Sequence, residues 1–133
     1  MIGLGSDLVY IPQMREQLRD SASSFAEQTF SATELRYAHQ NPSKDPPRHL
    51  AARFAAKEAL IKAWSSLHFA RPPRIPNPNL KEIEVINDHY GRPALRLHGA
   101  LQKQLGNYKT QLSLSHDGDY AIAVVLLSNG ETL

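Results

Sequence analysis

The stretch Phe54-Ala55-Ala56-Lys57-Glu58-Ala59-Leu60-Ile61-Lys62 lies in the centre of a long run with helical periodicity. On a helix, Glu58 and Lys62 lie one turn apart with the acid first, which is the favoured order for an i,i+4 ion pair. Ala51 and Ala55 lie on the same side, so a ligand or a second backbone has room to approach closely. This pattern suits a metal-bound phosphate ester, although taken alone it is more often a structural feature. The simpler alternative is a solvated salt bridge on an alanine-rich helix.

The composition of the 133 residues predicts one domain, residues 1–133, with a hydrophobic core. Apolar residues make up 41% of the chain, yet no run approaches the roughly 18 consecutive apolar residues of a membrane helix. Cysteine is absent and the N-terminus lacks signal-peptide features, so we expect a cytoplasmic protein with no membrane partner. The net charge of +2 is too small to predict a nucleic-acid partner, although it is compatible with local phosphate pockets.

A long helix is predicted over about 48–66. The apolar residues on one arc of its helical wheel should face the core, and these are Leu50, Phe54, Leu60, Ile61 and Trp64. Lys57 falls near the middle of this arc and Arg53 near its edge. Their charged ends either reach water from buried stems or line a polar pocket beside the helix, and the sequence leaves both alternatives open.

The rest of the chain predicts strands, turns and short helices. A capping box, in which Glu34 follows Ser31 by three residues, should start a short helix. The nearly all-apolar strand after the Asp117-Gly118 turn should be central and buried. The predicted strands are 2–9, 81–87, 94–98, 110–116 and 120–127, the further helices are 12–20 and 99–106, and the proline-rich loops are 41–47 and 70–79. These elements predict an α+β fold, an antiparallel sheet with helices packed on one face.

Four motifs follow one another along the chain: Gly3-Leu4-Gly5-Ser6-Asp7, Arg53 to Lys62, Gly91-Arg92-Pro93, and Ser113-Leu114-Ser115-His116. With these motifs the sequence resembles the holo-(acyl-carrier-protein) synthases, the small stand-alone 4′-phosphopantetheinyl transferases. The resemblance runs from Ile2 to about Leu127. The helix motif with Lys57 and Glu58, at its distance from Asp7, is the most specific part.

The resemblance implies a single 4′-phosphopantetheinyl transferase-like domain and a transferase reaction. The enzyme would move 4′-phosphopantetheine from coenzyme A to a serine of an acyl carrier protein, or of a carrier domain in a fatty acid synthase, in support of fatty acid biosynthesis. Mg²⁺ would be the cofactor and adenosine 3′,5′-bisphosphate the released product. Relatives of this short type look like homotrimers with active sites between subunits, and we expect the same assembly.

The resemblance also implies roles for individual residues. Asp7 and Glu58 match the metal-binding carboxylates, and Lys62 matches a lysine beside the diphosphate, so these three form the expected catalytic set. The positions expected to contact coenzyme A, besides Lys62, are Lys44, Arg53, Lys57, Gly91, Arg92, Pro93, Ser113, Ser115 and His116.

The chemistry of Asp7 and Glu58 agrees with this assignment. Mg²⁺ prefers one or two protein carboxylates and takes its remaining ligands from water and phosphate oxygens. Attack of a serine hydroxyl on the β-phosphate builds negative charge on the leaving oxygen, which Mg²⁺ and Lys62 would stabilise. Glu58, acting through a metal-bound water, is the candidate base for the serine.

His116 has two interpretations. It either contacts the nucleotide, with the 3′-phosphate as a candidate partner, or merely closes the hairpin that follows it. Ser113 and Ser115 on the same strand favour the pocket. The other histidines show no metal-ligand spacing and are expected at the surface: His39, His49, His68, His89 and His98.

Carrier recognition is where the chain departs from the resemblance. The first helical region retains few cations, chiefly Arg15 and Arg19, although acidic carriers usually dock on basic helices. We therefore expect apolar contacts from Met14, Leu18 and Phe25 to contribute more to carrier docking, unless these three are core residues.

The loop at 71–79, with Arg71 and Arg74, is a second candidate for docking a carrier domain or covering the pocket. Three other functions stay open: a binding module without the reaction, another Mg²⁺-dependent phosphotransferase, and a structural oligomer subunit. The first would require a lost metal ligand, although Asp7 and Glu58 are both present. The second normally carries a Gly-x-x-x-x-Gly-Lys-Ser/Thr loop, which this sequence lacks, and the third leaves the charged helix face unexplained.

Overall fold

The structure is a computed structural model that describes residues 1–40 and 45–130. Strands β1 to β5 are Ile2–Tyr10, Ile83–Asn87, Pro93–Leu97, Lys109–Asp117 and Tyr120–Ser128. Helices α1 to α5 are Ile11–Arg19, Phe25–Thr29, Ala32–Gln40, Pro46–Ser66 and Gly99–Leu105, and a 3₁₀ helix covers Leu80–Glu82. The predicted α+β class is confirmed. The short helix α2 was not predicted, because its five residues are too few to show a helical period.

The strands form two antiparallel sheets. Strands β1, β5 and β4 make a three-stranded sheet in that order, and β2 pairs with β3 in a separate hairpin. In the centre of the larger sheet, Ala123 of β5 lies opposite Asp7 of β1 and Leu114 of β4. Strands β1 and β4 are therefore the two edges of this sheet.

Strand β5 is central, as predicted, but it is buried on one face only. Ala121, Ala123 and Val125 face helix α4 and are fully buried. On the other face, Ile122 and Val124 are 40% and 38% exposed. The prediction that the whole strand is buried is wrong, because no helix of the described chain covers the outward face of the sheet.

Two glycines let β1 lie directly against α4. A Cβ atom on Gly3 would overlap the carbonyl oxygen of Ala63, and one on Gly5 would overlap that of Ala59. Both helical residues are alanines and are completely buried. The strand and helix backbones therefore approach more closely than larger side chains would allow, and this contact places the end of β1 beside the middle of α4.

Helix α4 is buried around more of its circumference than the predicted apolar arc. Leu50, Leu60 and Trp64 are buried as predicted, whereas Phe54 and Ile61 are only partly buried. Most of the additional buried positions are alanines, namely Ala51, Ala52, Ala55, Ala56, Ala59 and Ala63. The helical wheel identified the large buried side chains of α4. It did not identify the alanines on which the strand and the other helices pack closely.

The hairpin begins later than predicted. Residues 80–82 form the 3₁₀ helix, and the side chain of Asn79 caps it by accepting a hydrogen bond from the Lys81 N–H at 3.1 Å. The turn between β2 and β3 uses Gly91, whose φ of +84° lies in the left-handed region that favours glycine. This turn carries the hairpin residues that line the site described below.

Helix α1 contributes to the core. Met14 is buried and packs with Ile11, Ala51 and Ala121. The alternative in which Met14 belongs to a docking surface is therefore wrong. Among the described residues, no helix is both long enough and apolar enough to cross a membrane.

Candidate active site

The two predicted metal ligands lie together. Asp7 is near the end of β1, Glu58 is in the middle of α4, and both line an open cleft of about 430 Å³ with Gln13 and Gln17 of α1. The simpler alternative, a solvated salt bridge between Glu58 and Lys62, is not the pairing that the structure shows. Lys62 instead reaches across to β1, where its Nζ lies 3.0 Å from Oδ1 of Asp7.

Glu58 is held in an unfavourable electrostatic position. Partial burial is the main cause that raises its pKa, the nearby carboxylate of Asp7 raises it further, and Lys62 partly opposes the change. A bound cation between the two carboxylates would remove this repulsion. Among the described residues, no cluster of three or more His, Cys, Asp or Glu side chains exists. The pair therefore fits Mg²⁺, which accepts one or two carboxylates, better than a metal that requires a complete protein cage.

A second cleft of about 430 Å³ collects most of the predicted nucleotide residues. Its walls come from α3, α4, the β2–β3 hairpin and β4. The lining residues are Tyr37, His49, Ala52, Arg53, Asn87, Gly91, Pro93, Leu114, Ser115 and His116. Five of these were predicted from the sequence, and their convergence from three separate motifs makes the cleft a candidate binding site.

Arg53 forms the floor of this second cleft. It is only 4% exposed, and its guanidinium stacks 4.7 Å from the ring centre of Tyr37. Its Nη2 donates a hydrogen bond of 2.7 Å to Oδ1 of Asn87, whose amide donates in turn to the Gly91 carbonyl at 3.0 Å. Burial lowers the pKa of Arg53, but arginine remains charged in proteins. A buried, fixed cation therefore faces the cleft.

His116 lies at the rim with Arg48 of α4. Nε and Nη2 of Arg48 are 3.1 and 2.7 Å from Nδ1 of His116. Because arginine can only donate, Nδ1 of His116 is the acceptor in this arrangement. Burial is the largest cause that lowers the pKa of His49, and the charges of Arg53 and His116 add to it. The cluster is thus rich in positive charge and suited to an anion.

Several predicted contacts lie elsewhere. Lys57 is completely buried and paired with Glu34, so it is a core residue and does not line the cleft. Ser113 is exposed on β4 and is not among the lining residues. Arg92 is exposed and pairs with Asp88 at 2.7 Å. Lys44 falls outside the described residues.

Four polar residues in the cleft or at its rim escaped the sequence analysis. Arg48 was not considered and His49 was assigned to the surface, although His49 lies one helical turn before Arg53 on the same face, and that spacing was a usable signal. Tyr37 and Asn87 carried no local signal, because each reaches Arg53 only through the tertiary fold.

The two clefts lie at opposite edges of the three-stranded sheet. Asp7 belongs to edge strand β1 and His116 to edge strand β4, with β5 between them. Among the described residues, the clefts share no lining residue. A single chain therefore presents its carboxylate pair and its cationic cleft at separate places.

The sequence model of the 4′-phosphopantetheinyl transferase superfamily matches residues 3–125. The chain belongs to this superfamily. Similar proteins include the holo-(acyl-carrier-protein) synthase of Nocardia farcinica, 45% identical over 129 residues and covering 97% of this chain and 88% of that protein. The synthase of Mycobacterium tuberculosis is 46% identical over 127 residues, which is 96% of each chain.

Solved structures agree with this membership. The Chronobacterium ammoniagenes ACPS-CoA complex has a TM-score of 0.85 at 45% identity and covers 96% of this chain and 97% of that one. The Helicobacter pylori holo-(acyl-carrier-protein) synthase in complex with coenzyme A has a TM-score of 0.72 at 26% identity and covers 96% and 100%. The predicted family, fold and enzyme class, a phosphopantetheinyl transferase, are confirmed.

Proposed function

We propose that this chain transfers 4′-phosphopantetheine from coenzyme A to a serine of an acyl carrier protein or carrier domain, with Mg²⁺ as cofactor. Adenosine 3′,5′-bisphosphate is the product that leaves. The observation that carries this proposal is the placement of Asp7 and Glu58 in one open cleft, with Lys62 paired to Asp7. Superfamily membership and the likeness to two structures with bound coenzyme A support the same donor.

The cationic cleft binds the nucleotide end of coenzyme A in this proposal. Arg53 supplies a fixed buried charge, and Arg48 supplies a second cation at the rim, beside His116. Charge-assisted hydrogen bonds from guanidinium groups to phosphate are among the strongest in proteins. The 3′-phosphate is therefore the group assigned to this rim.

The transfer takes place in the carboxylate cleft, which is the cleft lined by Asp7 and Glu58. Asp7 and Glu58 would hold Mg²⁺, which supplies Lewis-acid stabilisation of the diphosphate oxygens when it is bound. Lys62 is placed to stabilise charge on the oxygen that leaves with adenosine bisphosphate. A serine hydroxyl must lose its proton during attack, and Glu58 has the raised pKa that suits a proton acceptor.

A homotrimer would unite the two clefts. The outward face of the sheet is apolar and open, with Leu4 and Leu8 60% and 61% exposed beside Ile122 and Val124. An open apolar sheet face of this kind marks an interface. In a closed ring, each chain meets the next through two different surfaces, so the β1 edge of one chain can face the β4 edge of its neighbour. The active site then lies between subunits.

The carrier protein meets few free cations on α1. Arg15 is paired with Asp45 at 3.1 Å, and Arg19 is paired with Glu16 at the same distance. Docking should therefore depend less on long-range charge than a basic helix would allow. Fatty acid biosynthesis in the cytoplasm is the proposed setting, because an acyl carrier protein is the acceptor named for the similar synthases.

Mass spectrometry tests the reaction directly. An apo carrier protein is incubated with this chain, coenzyme A and Mg²⁺, and the intact mass of the carrier is measured. The expected product is heavier by one phosphopantetheine, and omission of Mg²⁺ should prevent it. Failure to modify any apo carrier protein or carrier domain offered would refute the transferase proposal.

Subunit mixing tests the shared site. Asp7→Ala chains are inactive alone, and His116→Ala chains should be weakly active at coenzyme A concentrations below their raised Michaelis constant. Unfolded and refolded together, they should give more activity at these concentrations than the two give separately, because some mixed sites combine two intact halves. Mixing Asp7→Ala with Glu58→Ala is the control and should restore nothing, since both changes damage the same cleft. Equal recovery in both mixtures would contradict the proposed arrangement.

A further inference from the structure

We propose that the buried Lys57–Glu34 ion pair is a positioning device, which fixes strand β2 against α4 and thereby aligns the nucleotide cleft. Neither residue touches that cleft's ligand in this proposal, and both act through Arg53 and Asn87. The inference rests on the proposed function, because it assigns a role in binding the nucleotide of coenzyme A.

Lys57 joins α4 to three other elements at once: α3, the 3₁₀ helix and β2. Its ammonium donates to Oε1 of Glu34 at 2.7 Å, to the Leu80 carbonyl at 2.9 Å and to the Ile83 carbonyl at 2.5 Å. These three bonds use all three ammonium protons. Burial is the main cause that lowers the pKa of Lys57, and the charge of Glu34 opposes the change.

Glu34 completes the anchor from helix α3. Its Oε2 accepts a hydrogen bond of 3.0 Å from the backbone N–H of Val85. The predicted capping box is confirmed, since Oε1 also accepts from the Ser31 N–H at 2.9 Å and the Ser31 hydroxyl accepts from the Glu34 N–H at 3.1 Å. Helices α3 and α4 and strand β2 therefore meet at two fully buried side chains, Lys57 and Glu34.

The same three elements also supply neighbouring residues that line the nucleotide cleft. Arg53 lies one turn before Lys57 on α4, Tyr37 lies three residues after Glu34 on α3, and Asn87 lies two residues after Val85 on β2. Arg53 contacts both Tyr37 and Asn87. A displacement of β2 along α4 would therefore move Asn87 away from Arg53 and change the cleft wall.

Hydrophobic contacts alone do not set this alignment. The hairpin belongs to a separate sheet, and Ile83 and Val85 attach it to the core through apolar packing. Such packing is non-directional and tolerates small displacements. Buried ion pairs contribute little net stability compared with apolar replacements, and their best-attested use is to fix register. The Lys57–Glu34 pair has the geometry for that use.

The test compares nucleotide binding with stability. The double variant Lys57→Met/Glu34→Gln removes both charges and retains an acceptor for the Val85 N–H. We expect its dissociation constant for adenosine 3′,5′-bisphosphate, measured by calorimetry, to rise about 10- to 100-fold, because a displacement near 1 Å can cost that much. The Michaelis constant for coenzyme A should rise in parallel, with little change in kcat.

Leu127→Ala is the matched control, because it truncates a buried core residue on β5, outside α3, α4 and β2. Both proteins are measured well below their melting temperatures. An unchanged dissociation constant in the double variant, or an equal loss in Leu127→Ala, would overturn the positioning role. If the double variant does not fold, Glu34→Gln alone is subjected to the same comparison.

A double-mutant cycle with Asn87→Ala tests whether the Lys57–Glu34 pair acts through Asn87. If the pair acts through Asn87, adding Asn87→Ala to the double variant should weaken binding little further than Asn87→Ala does alone. Fully additive losses would contradict this route. An unmodified chain that neither binds the nucleotide nor modifies a carrier would refute the proposed function itself, which separates that outcome from failure of the positioning role.

Discussion

Lys62 of α4 and Asp7 of β1 form an ion pair across the carboxylate cleft, with 3.0 Å between Nζ and Oδ1. The ammonium thus neutralises one of the two carboxylates while Glu58 lies beside it with a raised pKa. A cation held by Asp7 and Glu58 would replace Lys62 as the counter-charge of Asp7. Lys62 would then be available to the diphosphate.

Lys62→Ala should lower kcat more than it raises the Michaelis constant for coenzyme A. Charge on the leaving oxygen grows only in the transition state, and loss of one such donor costs about 100- to 1000-fold. Steady-state kinetics measures both constants. Lys103→Ala, on α5, is the control and should behave as the unmodified protein. A raised Michaelis constant with unchanged kcat would show that Lys62 only binds the substrate.

Asp7→Ala and Glu58→Ala should each abolish transfer and magnesium binding while leaving the fold intact. Each removes one of two proposed protein ligands, and Mg²⁺ takes its other ligands from water and substrate. Titration calorimetry with Mg²⁺ and circular dichroism are the measurements. If either variant retains full activity, the metal site lies elsewhere.

Arg53→Ala should raise the Michaelis constant for coenzyme A with little effect on kcat, because the nucleotide end binds alike in the ground and transition states. Arg92→Ala is the control, since Arg92 is exposed, pairs with Asp88 and is not among the residues that line the cleft. A fall in kcat alone for Arg53→Ala would contradict a binding role.

Gly5→Ala should destabilise the fold by about 3 kcal/mol, because the added methyl group meets the backbone carbonyl of Ala59 and overpacking typically costs about 1–3 kcal/mol, occasionally more. Ser6→Ala, at the next and exposed position of β1, should change little. Thermal unfolding of the two variants measures the difference, and similar melting temperatures would show that β1 does not need its close approach to α4.

His49 should make the fold sensitive to acid. Its pKa is lowered in the folded state from an ordinary value of 6.5, so the unfolded chain binds the proton more readily. The resulting stability is complete above the ordinary pKa and is lost as pH falls from there through the folded pKa. Unfolding measured across this range should therefore show a smaller acid loss for His49→Gln than for the control His89→Gln, and equal losses would contradict the assignment.

Local patterns in the sequence were sufficient to predict helix α4, the capping box at Ser31 and the strands in which polar and apolar residues alternate. They failed where a side chain chooses between a near and a distant partner. Lys62 has an acid one turn away on its own helix but pairs with Asp7, which lies 55 positions earlier. Lys57 pairs with Glu34. The sequence analysis explained Glu34 by its capping role alone, so it gave no reason to expect this pair. Such choices depend on tertiary packing, which helical spacing does not encode.

The pairing of β1 with β5 also determines at what stage of synthesis the larger sheet can form. Strand β1 is synthesised well before its neighbour in the sheet, Tyr120–Ser128. During synthesis, β1 therefore carries unpaired backbone groups and exposed leucines, which are features that chaperones bind and that promote aggregation. A polypeptide that stops before Tyr120 would retain Asp7 and Glu58 but would never complete the sheet that supports them.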